Sequence, residues 1–179
     1  MAELGALLEK LVRAPEWADN ITSWRVTDAR PASYGPWPES LDARLADMLA
    51  AHGIERLYIH QSAAIRHALA GSDVVVVTPT ASGKSLCYHL PVLHALLQDR
   101  DACALYLFPT KALAYDQWHS LQDYVDSLGL QAGVAAYDGD TPRSRRATIR
   151  STARVLLSNP DMLHMGILPY HTQWHAFFS

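Results

Sequence analysis

Four consecutive valines, Val74 to Val77, run straight into Thr78-Pro79-Thr80-Ala81-Ser82-Gly83-Lys84-Ser85. A β-branched run without polar alternation is the pattern of a strand buried on both faces. Behind it stand Leu86, Leu90, Leu93 and Leu97 at helical spacing, with Pro91 predicting a kink. A strand, a loop of small residues and then a helix is the context a phosphate-binding loop requires. Main-chain N–H groups line the concavity there, and the helix N-terminus adds partial positive charge. Lys84 is expected to reach the β- and γ-phosphates of a nucleotide, and Ser85 to offer its hydroxyl to Mg2+. The strict pattern has Gly where this chain has Thr78. An ordinary strand-to-helix turn with a surface lysine is the bland alternative, and the flanking strand and helix weigh against it.

Around this loop the pattern alternates between helix and strand from residue 57 onward. Helices are predicted over about 60–70, 83–98, 112–128 and 141–152, with a short one after Asn159-Pro160. Strands are predicted over 73–77, 102–108, 132–137 and 154–158. Thr141-Pro142 and Asn159-Pro160 each place a capping residue before a proline at the first helical position. Such alternation implies an α/β fold with a mostly parallel sheet covered by helices on both faces. Residues 1–56 read differently. Leu4, Leu7, Leu8, Leu11 and Val12 share a helical face. Residues 14–40 hold Pro15, Pro31, Pro36 and Pro38 with Trp17, Trp24, Tyr34 and Trp37 among them. Four prolines forbid a long helix, so an extended segment pinned by its aromatics is expected. Ser40 is expected to cap a helix stopped by Gly53.

Composition bounds the rest. The 179 residues are 49% hydrophobic and 18% charged, enough for a packed core, and the formal charge of −3 excludes a strongly basic nucleic-acid binder. Cys87 and Cys103 have no ligand-like spacing, and the nine histidines form no spaced metal set. No apolar run approaches the ~20 residues that span a bilayer. A reducing cytoplasm and no membrane partner are expected.

With the loop placed, five stretches fall into register: Leu57-Tyr58-Ile59-His60-Gln61, residues 78–91, residues 108–117 beginning Phe108-Pro109-Thr110-Lys111, Tyr137-Asp138-Gly139-Asp140-Thr141, and Leu157-Ser158-Asn159-Pro160-Asp161-Met162. Together they resemble the first motor domain of a superfamily 2 DEAD/DEAH-box helicase, a RecA-like fold. More narrowly they are similar to the YprA/MrfA-type helicases, relatives of the RecQ-four-like repair helicases. In that superfamily a residue other than Gly at the first loop position is normal. The resemblance covers about residues 57–179, leaving 1–56 as an N-terminal extension. It implies that Tyr58 and Gln61 face the adenine of ATP, and that Thr78, Pro79, Thr80, Ala81, Ser82, Gly83, Lys84 and Ser85 hold its phosphates with Mg2+ on Ser85. It also implies that Pro109, Thr110, Lys111, Gly139, Asp140, Asn159, Pro160 and Asp161 touch a nucleic-acid backbone. The implied protein is an ATP-dependent DNA helicase, moving 3′-to-5′ in DNA repair on single-stranded or partly duplex DNA, with RNA possible. An RNA helicase and a non-hydrolysing nucleotide-binding module are the rivals, and a phosphate-loop kinase would leave the later stretches unexplained.

Two further expectations follow. Arg143, Arg145, Arg146, Arg150 and Arg154 lie in a stretch without an acid, either a solvated helix face or part of a cationic track for the strand. No Asp-Glu-x-His or equivalent acid pair occurs in the 179 residues, although phosphoryl transfer to water needs an acidic second Mg2+ ligand. The chain is therefore expected to be a truncated first domain lacking its C-terminal motor partner, poorly soluble and nearly inactive in hydrolysis by itself.

Overall fold

Three of the four predicted strands form the sheet. The computed structural model describes residues 2–18, 20–25, 27, 28 and 31–178. These divide into two compact units, meeting in sequence between residues 32 and 33. The first carries α1 (Ala2–Arg13) and the four-residue α2 (Pro15–Ala18). Here Trp17 and Trp24 are each about half exposed, so these two tryptophans do not pin the segment as expected. The third does: Trp37, in the second unit, packs against the main core.

The second unit contains β1 (Tyr34–Gly35), α3 (Ala43–Ala51), β2 (Leu57–Tyr58), α4 (Ile59–Leu69), α5 (Ser85–Gln98), β3 (Ala104–Leu107), α6 (Lys111–Ser127), β4 (Gly133–Ala136), α7 (Arg143–Thr152), β5 (Ala153–Ser158) and the short α8 (Pro160–Met162). A π turn over Leu163–Ile167, a 3-10 stretch over Leu168–Trp174 and α9 (His175–Phe178) follow. Strands β3, β5 and β4 pair in that order, all parallel, as expected of a helix-crossed sheet. β1 and β2 make a separate antiparallel pair, Tyr34 opposite Tyr58.

The central strand is β5. Because side chains alternate along a strand, Val155 and Leu157 enter a core shared with Leu45, Leu49, Ile65, Leu90 and Leu121. Leu156 enters a second core with Tyr137, Ile149, Ile167, Trp174 and Phe177. Helices thus cover both faces, and compact packing begins well before residue 57, since α3 contributes Leu45, Met48 and Leu49 to the core.

The valine run departs from expectation. Residues 72–79 pair with no strand among the described residues, and Val75 and Val77 are 88% and 89% exposed. Valine favours extended backbone, but a strand exists only where a neighbour supplies ladder hydrogen bonds and a cover. No described strand lies beside this one. Val74 and Val76 instead line an apolar trough of about 720 Å³ with Cys87, Tyr88, Val92 and Leu113.

Cap chemistry also differs in detail. Asp42, not Ser40, caps α3: its carboxylate accepts the Arg44 N–H at 3.0 Å and pairs with the Arg44 guanidinium. Thr141 does not cap α7, because its hydroxyl accepts the Asp138 N–H at 2.9 Å. Asn159 caps α8 as predicted, accepting the Met162 N–H at 2.8 Å with Pro160 at the first helical position. Pro91 sits inside an unbroken α5.

Candidate nucleotide pocket and nucleic-acid edge

The loop between the valine segment and α5 is turned by two left-handed residues, Ala81 (φ 58°) and Gly83 (φ 74°). An alanine in that region is strained and uncommon. The Thr78 and Ser82 hydroxyls bond each other at 2.6 Å across the loop. Lys84 folds its ammonium back onto the carbonyl oxygens of Thr78 (3.0 Å) and Pro79 (2.6 Å). The cation is held over the concavity by neutral acceptors alone, a partnership that an incoming phosphate can replace. Pro79 and Thr80 form the exposed tip, and Ser85 opens α5 beside them.

Gln61, at the start of α4, ties this loop to an aromatic wall. Its side-chain amide donates to the Gly83 carbonyl at 2.8 Å, and its Oε1 accepts the Tyr58 N–H at 2.8 Å. A β-carbon at residue 83 would lie 2.6 Å from the Gln61 Nε2, so both the backbone sign and the close approach demand glycine there. Tyr58 stacks on Tyr34 at 5.4 Å and on His60 at 5.8 Å, the planes within 14° in both pairs. The Arg56 guanidinium lies 3.9 Å from the Tyr34 ring centre. Tyr34, Arg56, Tyr58 and Gln61, with Gly83, Ser85 and Leu86, line a cavity of about 530 Å³. Sequence reasoning missed Tyr34 and Arg56. The available signal was a tyrosine in a proline-rich segment that could pair with the strand before Gln61.

Behind the loop lies a buried polar set that the sequence analysis did not single out. His89, fully buried on α5, lies 3.3 Å from the Tyr106 hydroxyl and 3.2 Å from the Gln117 Oε1, which also accepts the Tyr88 hydroxyl at 2.7 Å. Burial drives the His89 pKa down to about 4, against the pull of Gln117, and it pushes the Tyr106 phenol far up. The set joins the loop's helix to α6, whose Leu113 and Gln117 share the apolar trough with Lys84.

At the C-terminal ends of the three paired strands, the remaining predicted residues come together. The Phe108 N–H donates to the Ser158 carbonyl, and the Ser158 hydroxyl donates to the Tyr137 carbonyl at 2.6 Å. These bonds set residues 109–111, 138–141 and 159–161 side by side. Pro109 and Thr110 are exposed, and Thr110 caps α6. Lys111, the first residue of α6, places its ammonium 2.5 Å from the Asp140 carboxylate, which holds the lysine pKa above its ordinary value. Pro160 and Asp161 are exposed at the start of α8. Asp138 is buried and bonds the N–H groups of Asp140 and Thr141, shaping the turn around Gly139. Arg146 clamps the same turn, donating to the Thr141 carbonyl at 3.0 Å and to those of Asp138 and Gly139 at 3.4 Å. Arg154 donates to the Ala102 and Asp99 carbonyls. Two of the five clustered arginines are therefore braces for the fold, while Arg143 and Arg145 are exposed.

A DEAD/DEAH box helicase family model matches residues 58–177, which span the loop, Tyr58 and Gln61, and all three strand ends. The chain belongs to the DEAD/DEAH box helicase family. Among curated members, the uncharacterized ATP-dependent helicase YprA of Bacillus subtilis is 44% identical over 172 residues, covering 96% of this chain and 23% of that protein. The ATP-dependent helicase hrq1 of Schizosaccharomyces pombe is 41% identical over 151 residues, covering 83% of this chain and 14% of that protein. A crystal structure of the DUF1998 helicase MrfA bound to DNA and AMPPNP superposes with a TM-score of 0.82 at 44% identity, over 90% of this chain and 23% of that one. The chain thus spans less than a quarter of the length of these helicase relatives, and its parallel sheet is that of a RecA-like helicase domain.

Proposed function

We propose that this chain is the ATP-binding part of a DNA helicase and holds nucleotide and nucleic acid on two adjoining parts of one domain. The single observation that carries the reading is the Gln61–Gly83 bond, because it joins an aromatic wall suited to a purine to a loop suited to phosphate. The residues fit Mg-ATP: Lys84 holds its charge at the loop on exchangeable carbonyl partners, and Ser85 borders both the aromatic-walled cavity and the trough that Lys84 lines. When bound, ATP supplies the free energy of its terminal phosphoanhydride, with Mg2+ screening its charge.

Lys84 would exchange the Thr78 and Pro79 carbonyls for the β- and γ-phosphates, and the Ser85 hydroxyl would hold Mg2+. Tyr34 and Tyr58 present ring area to the base, while Gln61 holds the loop in register with them. At the strand ends, Thr110, Lys111, the Gly139 turn and the Asn159-Pro160-Asp161 start of α8 meet phosphodiester oxygens. Contacts of this kind position a strand without reading its sequence. DNA is favoured over RNA because the MrfA structure carries DNA. The family resemblance supports 3′-to-5′ movement and a repair role. We also propose that residues 1–179 alone bind ATP but scarcely hydrolyse it, since no acid pair of the Asp-Glu-x-His kind stands in this sequence.

Calorimetry of Mg-ATP with the full-length protein tests the reading, followed by competition between single-stranded DNA and RNA of one sequence. Heat that is lost in Lys84→Ala, with DNA the stronger competitor, is the expected result. Absence of heat overturns the nucleotide site, and preference for RNA overturns the choice of substrate.

A further inference from the structure

Lys111 stands at the first position of a 17-residue helix, where the helix dipole disfavours a cation and favours an anion. The residue is costly there unless a negative group faces it. In this chain that group is Asp140, whose carboxylate closes on the ammonium from the neighbouring turn. The turn does not need that carboxylate to hold its shape. Its hydrogen bonds come from the buried Asp138, from Thr141 and from the Arg146 clamp. Among the described residues the Asp140 side chain bonds Lys111 alone, and Asp140 is strongly exposed at the tip. An acidic side chain presented by a rigid frame is a poor ligand for a phosphodiester, yet it occupies the cation that such a ligand requires.

We infer that Asp140 is a built-in competitor: its carboxylate fills the seat on Lys111 that a nucleic-acid phosphate takes on binding, and so lowers affinity for the strand. The inference rests on the proposal that this edge binds a nucleic-acid backbone, and it reverses the expected role of Asp140 from contact to counter-ligand. A strand-tracking protein gains from such a group, because a cation that is re-covered at each release lets go of phosphate more easily.

The test is a double-mutant cycle in the full-length protein, read by fluorescence anisotropy with a fluorescein-labelled single-stranded oligothymidylate. Asp140→Asn keeps the size of the side chain and removes its charge. It is expected to tighten binding by about two- to fivefold, the scale of an exposed ion pair. In a Lys111→Ala background the same change is expected to do nothing. Lys111→Ala alone is expected to weaken binding and to lower the salt slope by about 1. Equal tightening in both backgrounds assigns Asp140 a general electrostatic effect and overturns the inference. Weakening by Asp140→Asn restores it as a direct contact and overturns it as well. If Lys111→Ala changes neither affinity nor salt slope, the edge itself has been misassigned and the underlying reading fails first.

Discussion

The Gln61 side-chain amide bonds the Gly83 carbonyl across 22 residues of chain, and its other end holds the Tyr58 N–H. The glutamine is almost fully buried, and both bonds are partly shielded from water. The residue that the family resemblance places toward adenine is, in this structure, a mechanical link between the aromatic wall and the loop before α5.

Replacing Gln61 with alanine removes the partner of the partly shielded Tyr58 N–H and Gly83 carbonyl. The cost to stability is about 1–3 kcal/mol, measured by urea unfolding. Gln61→Glu keeps the acceptor for Tyr58 but loses the donor to Gly83. Its nucleotide affinity is expected to fall more than its stability. Equal affinity in Gln61→Glu and wild type refutes the link.

Among the described residues Lys84 bonds only oxygens of its own loop, and it contributes little to the core. Lys84→Ala is expected to leave stability within about 0.5 kcal/mol while removing most Mg-ATP affinity. Thermal unfolding and titration calorimetry on one preparation separate the two effects.

His89 makes stability depend on pH. Its folded pKa of about 4 lies below the ordinary 6.5, so between these values the unfolded chain binds a proton that the folded chain refuses. Stability is complete above about pH 6.5 and is lost as pH falls toward 4, by an amount on the order of 3 kcal/mol. Urea midpoints at pH 7.5 and 5 read this loss. In His89→Leu the slope should flatten, although neutral-pH stability also drops because Gln117 and Tyr106 lose a partner.

Arg146 braces the Gly139 turn through three carbonyls, whereas Arg143 and Arg145 are exposed on the same helix. Arg146→Ala is expected to cost about 1–3 kcal/mol of stability. Paired charge reversal at Arg143 and Arg145 should spare stability and weaken binding of single-stranded DNA most at low salt. Salt-independent affinity in the reversed variant assigns those two to a solvated face.

Val75 and Val77 stand almost wholly in solvent. In residues 1–179 alone, Val75→Lys with Val77→Lys should leave stability within about 0.5 kcal/mol and reduce self-association. Light scattering across a concentration series checks this. A large loss of stability means that the valine segment is paired in solution.

The phosphate loop was legible in the sequence because its chemistry is local: small residues, a lysine and a helix start must follow one another along the chain. Asn159-Pro160 and the three paired strands were legible for the same reason, since capping and β-branched or alternating runs are short-range signals. The valine run shows the limit. Its composition announces a buried strand, but pairing is a property of neighbours, and the central doubly covered place in the sheet belongs to β5, the segment Ala153–Ser158. Which charges are free was equally invisible. Arg143 and Arg146 look alike along the helix, and Lys111 and Asp140 are 29 residues apart. Five stretches of sequence carried the resemblance to the family, and residue spacing gave the loop and the order of elements. Folding alone decided that Arg146 is a brace, that Gln61 is a link and that Asp140 covers Lys111, because hydrogen bonds and ion pairs act over a few ångströms of space regardless of distance along the chain.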